Sequence, residues 1–153
     1  MADGANIWVG ALAGYAASRT MDAATSWFYA RQSEESKRRE EELAPGGTLV
    51  QMGKQMGAAV GRDLTDAEAA RVGVAAHRTL GMRYGVIANA LARRGRAPMS
   101  AGLAVGTAAW MIVDEATALP TFTSYPVASH VRGVVGHGTY GLACGALLSL
   151  VHR

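Results

Sequence analysis

Four apolar stretches, each close to the length of a membrane-crossing helix, constrain this chain more than any other feature. They cover residues 7–30, 72–92, 99–119 and 127–151. A helix needs about 20 apolar residues to cross the hydrocarbon core of a bilayer. Hydrophobic residues make up 50% of the chain and charged residues only 18%, against about 25% charged in an average soluble domain. We therefore predict an all-α fold, a four-helix transmembrane bundle that forms a single domain over residues 1–153.

Aromatic residues mark both ends of the first stretch. Trp8 and Phe28 lie 20 residues apart, which is about 30 Å of helix and matches the hydrocarbon thickness. Aromatic side chains are enriched at the two membrane–water interfaces. Residues 1–6 contain no Lys or Arg, so the basic start of a secretory signal is missing and we expect this stretch to be retained.

Glycines spaced four residues apart occur in each of the four stretches. Small residues one helical turn apart let helix backbones approach closely, which is the usual way that helices associate in lipid. We therefore expect the helices to pack through their glycine faces. The pairs are Gly10/Gly14, Gly53/Gly57, Gly57/Gly61, Gly81/Gly85, Gly102/Gly106 and Gly141/Gly145.

One long polar connection, residues 31–65, separates the first two stretches. Its mixed charges predict a polar helical extension of the first helix over 31–47, ended by Pro45 and the glycines after it. Residues 48–62 are predicted to form a short interfacial or re-entrant helix. Thr65 and Glu68 have the spacing of a capping box, which predicts that the second long helix begins at this point.

The later connections are short, so consecutive helices should be antiparallel neighbours. Gly95 and Pro98 separate the second and third stretches, and Pro120 and Pro126 bracket the connection between the third and fourth.

Charged residues inside the stretches favour a different fold. A lone charge at the centre of a bilayer costs about 2.5–3.5 kcal/mol. The second helix, with Arg71, His77, Arg78 and Arg83, would not insert on its own. The alternative is a soluble helical bundle rich in Ala and Gly. Interior glycines, which cost nearly 1 kcal/mol each in a helix, and the lack of a polar face on the third and fourth stretches argue against it.

The half of the chain from His77 onward resembles the YagU-like family of small bacterial inner-membrane proteins. The resemblance implies four transmembrane helices and no assigned biochemical activity. Residues 31–47 depart from the pattern of that family. The motifs that carry the resemblance are His77 followed by Gly81 and Tyr84-Gly85, Gly102 to Gly106, Trp110 with Asp114-Glu115, Leu119-Pro120, Tyr125-Pro126 and Gly136 to Gly141.

Ionisable residues from all four stretches gather in one half of the predicted bundle. We call the side that carries the N-terminus and residues 93–96 side A, and the opposite side is side B. Intramembrane ionisable residues usually face a bundle interior or a cavity. Those predicted in the half near side B are Asp22, His77, Arg78, Asp114, Glu115, His130 and Arg132, with Arg19, Arg83 and His137 nearer the centre.

Two interpretations of this polar intramembrane cluster remain open. In the first it is a structural network, in which Asp22 pairs with Arg19 or Arg78, and Asp114 or Glu115 pairs with Arg132 or His130. In the second it lines a pocket for a small ligand, a lipid headgroup or a proton.

The histidines suggest an alternative function. His77 and His130 are predicted at similar depth on different helices, as the two axial ligands of haem b would be, and His137 shares a helix face with His130. A haem b-binding or proton-handling redox membrane protein is therefore the alternative. No metal site is predicted, because no ligand spacing such as HExxH occurs.

We predict no catalytic residue and lean towards a non-enzymatic role, because no GxSxG, P-loop or GxGxxG motif occurs. The expected partners are the lipid bilayer and other membrane-protein subunits or a second copy of the chain. The small, scattered net charge of +3 gives no reason to expect nucleic acid. The expected location is the bacterial cytoplasmic (inner) membrane, with both termini in the cytoplasm, because the cations of side A lie in a short loop and at the C-terminus.

Overall fold

A computed structural model describes residues 2–118 and 125–152, with side chains from residues 6–115 and 125–152. Every regular element in this part of the chain is helical, which confirms the prediction of an all-α fold. The elements, in chain order, are α1 (Ala2–Ala30), α2 (Glu34–Leu43), α3 (Thr48–Ala59), α4 (Asp66–Arg93), α5 (Pro98–Ala109), a π-helix (Trp110–Ala118) and α6 (Val127–Val151).

The predicted capping box sets the start of α4. Thr65 Oγ1 accepts a hydrogen bond from the backbone N–H of Glu68 at 3.4 Å, and the Glu68 carboxylate accepts one from the backbone N–H of Thr65 at 3.0 Å. Both groups satisfy N–H donors that the first turn of a helix leaves unpaired. The helix consequently begins at Asp66, several residues before its apolar part.

The prediction that residues 31–47 extend the first helix is wrong. The first helix ends at Ala30, and α2 is a separate helix that begins after a turn. Ser33 is the reason, because its Oγ accepts a hydrogen bond from the backbone N–H of Ser36 at 3.2 Å and caps a new N-terminus. The chain leaves α2 before Pro45, and α3 then forms the short helix predicted within residues 48–62.

The third apolar stretch contains two kinds of helix. We expected one helix over residues 99–119, but α5 ends at Ala109 and a π-helix continues to Ala118. A π-helix has wider turns than an α-helix and is frequently found at functional sites. The predicted connection between Pro120 and Pro126 falls largely on residues 119–124, which lie outside the described part of the chain.

Hydrogen bonds at one end of the bundle fix the relative directions of three helices. The Asn89 amide, near the end of α4, donates to the backbone carbonyl of Asn6 in α1 at 2.7 Å. His152, which follows α6, lies 2.7 Å from the Asn89 carbonyl oxygen. The start of α1 and the ends of α4 and α6 therefore lie together, as expected for side A.

Close backbone contacts at glycines join the long helices. α1 packs against α4 and α6, and α5 packs against α6. A Cβ atom added to Gly14 in α1 would lie 2.9 Å from the Cα of Gly85 in α4, and one added to Gly102 in α5 would lie 2.9 Å from the Cα of Gly145 in α6. These contacts leave no room for a side chain between the helices.

Small side chains fill much of the buried core, and many large apolar side chains lie at the surface. The buried core consists mainly of small residues, among them Ala17, Ala88 and Cys144. Large apolar side chains lie outside, with Trp8 at 65% exposure and Leu12 at 64%. Such a surface is unusual for a monomer in water.

By length and apolar composition, α6 is the one described helix that could cross a membrane. Length and composition therefore support one of the four predicted membrane-crossing helices. The other long helices are more polar than α6, with Arg19 and Asp22 in α1 and several arginines in α4, and α5 has only 12 residues before the π-helix begins.

Candidate functional site

A cavity of about 250 Å³ lies inside the bundle, among α1, α3, α4, the π-helix and α6. It brings together five of the eight residues predicted for the polar intramembrane cluster. The remaining three, Arg78, Glu115 and His130, do not line it. The five that do are Asp22, His77, Asp114, Arg132 and His137.

Asp22 of α1 is held by two consecutive residues of α4. Its Oδ1 lies 3.3 Å from His77 Nε2, and its Oδ2 accepts a hydrogen bond from Arg78 Nη2. Of the two partners considered for Asp22, the structure therefore pairs it with Arg78. Arg78 Nη1 is buried and has no hydrogen-bond partner among the described residues.

Asp114 and His137 form a second carboxylate–histidine pair. Asp114 Oδ1 lies 3.3 Å from His137 Nε2. Gly133, one turn before His137, leaves space for this carboxylate, because a Cβ atom at Gly133 would lie 2.6 Å from Asp114 Oδ2. The π-helix thus places the Asp114 carboxylate beside Gly133 of α6. The expected partners of Asp114 were Arg132 or His130, so this pairing differs from the prediction.

Glu115 and His130 form a third pair, away from the cavity. His130 Nδ1 lies 2.9 and 3.0 Å from the two carboxylate oxygens of Glu115. This pairing is one of those predicted. Adjacent residues of the π-helix, Asp114 and Glu115, therefore face different surroundings, and only Asp114 reaches the cavity.

Arg132 is paired with a residue that sequence reasoning missed. Its guanidinium donates to both carboxylate oxygens of Glu40 in α2, at 2.6 and 3.1 Å. Glu40 also accepts hydrogen bonds from the Gln32 amide at 2.6 Å and from the Ser129 hydroxyl at 2.8 Å. Backbone packing between α2 and the other described helices is sparse, so this network attaches α2 beside the cavity.

One signal in the sequence pointed to that face of α2. Ser36 and Glu40 are four residues apart and share one face of α2, and Gln32, four residues before Ser36, lies just ahead of the helix. The many charges of the segment are typical of a solvent-exposed helix, and the pattern alone does not say which carboxylate is buried.

The network changes the acidity of Glu40. Burial raises the pKa of this carboxyl, but hydrogen bonds from Arg132, Gln32 and Ser129 lower it by more, so the pKa lies below its usual value of 4.5. A carboxyl with a lowered pKa in the folded state stabilises that state above the unfolded pKa and loses this contribution as the pH falls through the lowered value.

We therefore expect an acid-dependent difference between the wild-type protein and Glu40→Gln. The wild type should be the more stable at pH 6, and the difference in free energy of unfolding should hold down to about pH 4.5 and shrink below it. Thermal unfolding in detergent at a series of pH values measures this difference. A difference that stays constant to pH 3, or grows on acidification, would contradict the role of the ionised Glu40.

The histidine pair predicted for haem is not assembled in this cavity. His77 and His137 line it, whereas His130 lies outside with Glu115. Among the described residues, no group of three or more His, Cys, Asp and Glu side chains has the arrangement of a metal site.

Tyrosines complete the cavity wall. Tyr84, Tyr125 and Tyr140 line it together with Met21 and Met52. The Tyr140 hydroxyl donates to the Gly81 carbonyl oxygen at 2.7 Å and thereby ties α6 to α4. These tyrosines belong to the motifs of the family resemblance, but their spacing along the chain gives no sign that they meet.

Comparison with protein-family models finds no match, and comparisons with curated proteins and with solved structures find none either. The resemblance to the YagU-like family therefore stays a prediction.

Proposed function

We propose that this chain is a multi-pass protein of a bacterial cytoplasmic membrane, related to the YagU-like family, whose central cavity binds a small ligand. Four helical passes would be α1, α4, α5 with the π-helix, and α6. The role is non-enzymatic, as an accessory subunit or ligand-binding component that packs through its glycine faces against other membrane subunits or a second copy. The observation that carries the proposal is a cavity lined by ionisable side chains, in a bundle whose long helices expose large apolar side chains.

The outer surface supports a lipid environment. Large apolar side chains are exposed on all the proposed passes, including Ile7, Ile87, Ile112 and Leu142. Arg19 and Arg83 are exposed, whereas the members of the polar intramembrane cluster line the cavity or have an ion-pair partner. A bundle in lipid requires this arrangement, because charges in hydrocarbon are costly unless they are paired or face a cavity.

The close helix contacts support the same environment. Between lipid-exposed helices, burial of apolar area gives no drive for association, so van der Waals contact between small residues and interhelical hydrogen bonds replace it. The contacts of Gly14 with Gly85 and of Gly102 with Gly145 have this character, as does the hydrogen bond from Tyr140 to Gly81.

The cavity supports binding of a small ligand. Its volume of about 250 Å³ exceeds that of an engineered cavity of about 150 Å³ that binds benzene. Carboxylate, imidazole and hydroxyl groups occupy defined positions on a wall that is otherwise apolar, which is the usual composition of a ligand site.

Cysteine labelling tests the proposed topology. In a Cys144→Ala background, Arg38→Cys places a thiol on α2 and Arg94→Cys places one between α4 and α5. Four passes put these positions on opposite sides of the membrane, so an impermeant maleimide added to intact cells should label one and not the other. The positive-inside rule predicts that Arg94→Cys is the protected one.

A single-pass protein gives a different result. If only α6 crosses the membrane, residues 38 and 94 lie on the same side, and both variants are labelled or both are protected in intact cells. Labelling of both in permeabilised cells is the control for thiol accessibility. Equal labelling in intact cells would overturn the four-pass proposal.

A further inference from the structure

The carboxylates around the cavity differ in the partners that balance their negative charge. Three carboxylates lie at or beside it. Asp22 is paired with Arg78 and Glu40 with Arg132, so each has a permanently charged partner. Among the described residues, Asp114 has only the imidazole of His137, at 3.3 Å. The neighbouring residues outside the described part, 116–124, contain no Lys or Arg.

An uncompensated carboxylate in a bundle interior favours a positively charged occupant. Burial of a charge is costly unless a partner compensates it. Whenever His137 is neutral, the cavity carries one negative charge that no Lys or Arg among the described residues balances. An anion is disfavoured, because Arg132 is held by two hydrogen bonds to Glu40 and Arg78 does not line the cavity.

The rest of the wall favours an organic cation over a metal ion. Tyrosine rings attract cations through the negative charge of their faces, and aromatic cages recognise quaternary ammonium groups in this way. Tyr84, Tyr125 and Tyr140 line the cavity with the thioethers of Met21 and Met52. Hard metal ions instead need six or more oxygen ligands.

We infer that the cavity binds a small organic cation, an amine or quaternary ammonium compound, with Asp114 as its counter-charge and the tyrosines as its aromatic wall. This inference rests on the proposed ligand-binding function and narrows it to one class of ligand. The cavity volume of about 250 Å³ admits a molecule of the size of choline and excludes large lipophilic cations.

Calorimetric titration of the full chain in a maltoside detergent tests the charge requirement. Choline is the cationic probe, and 3,3-dimethyl-1-butanol is its neutral isostere with the same shape. We expect choline to bind and the isostere to bind at least tenfold more weakly, since only the cation interacts with the carboxylate and the rings. This comparison needs no variant, so it does not depend on the folding of one.

Two adjacent carboxylates provide matched variants. Asp114→Asn is expected to weaken choline binding at least tenfold. Glu115→Gln, one residue along the same π-helix, should leave the affinity within about twofold, since Glu115 is paired with His130 and does not line the cavity. Far-ultraviolet circular dichroism and gel filtration establish that both variants fold.

The outcomes separate this inference from the proposed function. If choline and its neutral isostere bind equally, or if Asp114→Asn leaves choline binding unchanged, the cavity binds a ligand but the charge requirement is wrong. If neither choline nor tetramethylammonium binds to the folded protein, the inference is overturned. The topology that underlies the proposed function is decided separately by cysteine labelling.

Discussion

Gly85→Val is expected to destabilise the bundle by about 3 kcal/mol or more and to reduce strongly the amount of folded protein. A Cβ atom at this position would lie 2.6 Å from the Cα and 2.7 Å from the backbone nitrogen of Gly14. Backbone atoms cannot rotate away as a flexible side chain would, so α1 and α4 would have to separate. Insertion of extra atoms into a packed core costs typically 1–3 kcal/mol, and more where the backbone must move.

The matched control is Gly138→Val in α6. A Cβ atom at Gly138 has no neighbouring heavy atom within 4 Å, and valine has a somewhat better helix propensity than glycine. This variant should therefore be as stable as the wild type or slightly more stable. Unfolding in mixed detergent and sodium dodecyl sulfate measures both variants. Equal effects at the two positions would contradict the close contact of α1 with α4.

Arg132→Met is expected to lower the free energy of unfolding by about 3–5 kcal/mol, the usual cost of removing one partner of a buried ion pair. It removes the cation and leaves the Glu40 carboxylate, whose side chain is 11% exposed, with only the Gln32 amide and the Ser129 hydroxyl. Because the Arg132 network attaches α2 to the bundle, α2 should also become sensitive to protease. Equilibrium unfolding and limited proteolysis measure the two effects.

Arg39→Met is the control on α2 itself. Arg39 is 52% exposed and pairs with Glu42 at the surface, so its loss should cost no more than about 1 kcal/mol. The double variant Glu40→Gln with Arg132→Met removes both charges and should be less destabilised than Arg132→Met alone, which a double-mutant cycle measures. Equal effects of Arg132→Met and Arg39→Met would show that the Arg132 network does not hold α2.

Local signals in the sequence predicted the parts of the fold that depend on neighbouring residues. The capping box at Thr65 fixed the start of α4, and Pro126 marked the start of α6 at Val127. Counting residues from each helix end also brought Asp22, His77 and Asp114 to similar depth, since the rise per residue of a helix is constant. The structure places all three around one cavity.

The structural features that the sequence did not predict depend on long-range contacts or on small energy differences. The pairing of Glu40 with Arg132 joins residues 92 positions apart, and charge patterning along α2 cannot reveal it. The change from α5 to the π-helix is a small shift in hydrogen-bond register, and no residue type in the stretch marks it. That shift decides which of Asp114 and Glu115 faces the cavity.

The central claim is that hydrocarbon surrounds the long helices and that the polar intramembrane cluster faces the cavity or is paired inside the bundle. Flotation of cell membranes in a density gradient after alkaline extraction tests it most directly, because this treatment releases peripheral proteins and retains those that span the bilayer. We predict that the chain floats with the lipid and leaves it only in detergent. A helical, monodisperse chain in the supernatant without detergent would contradict the claim.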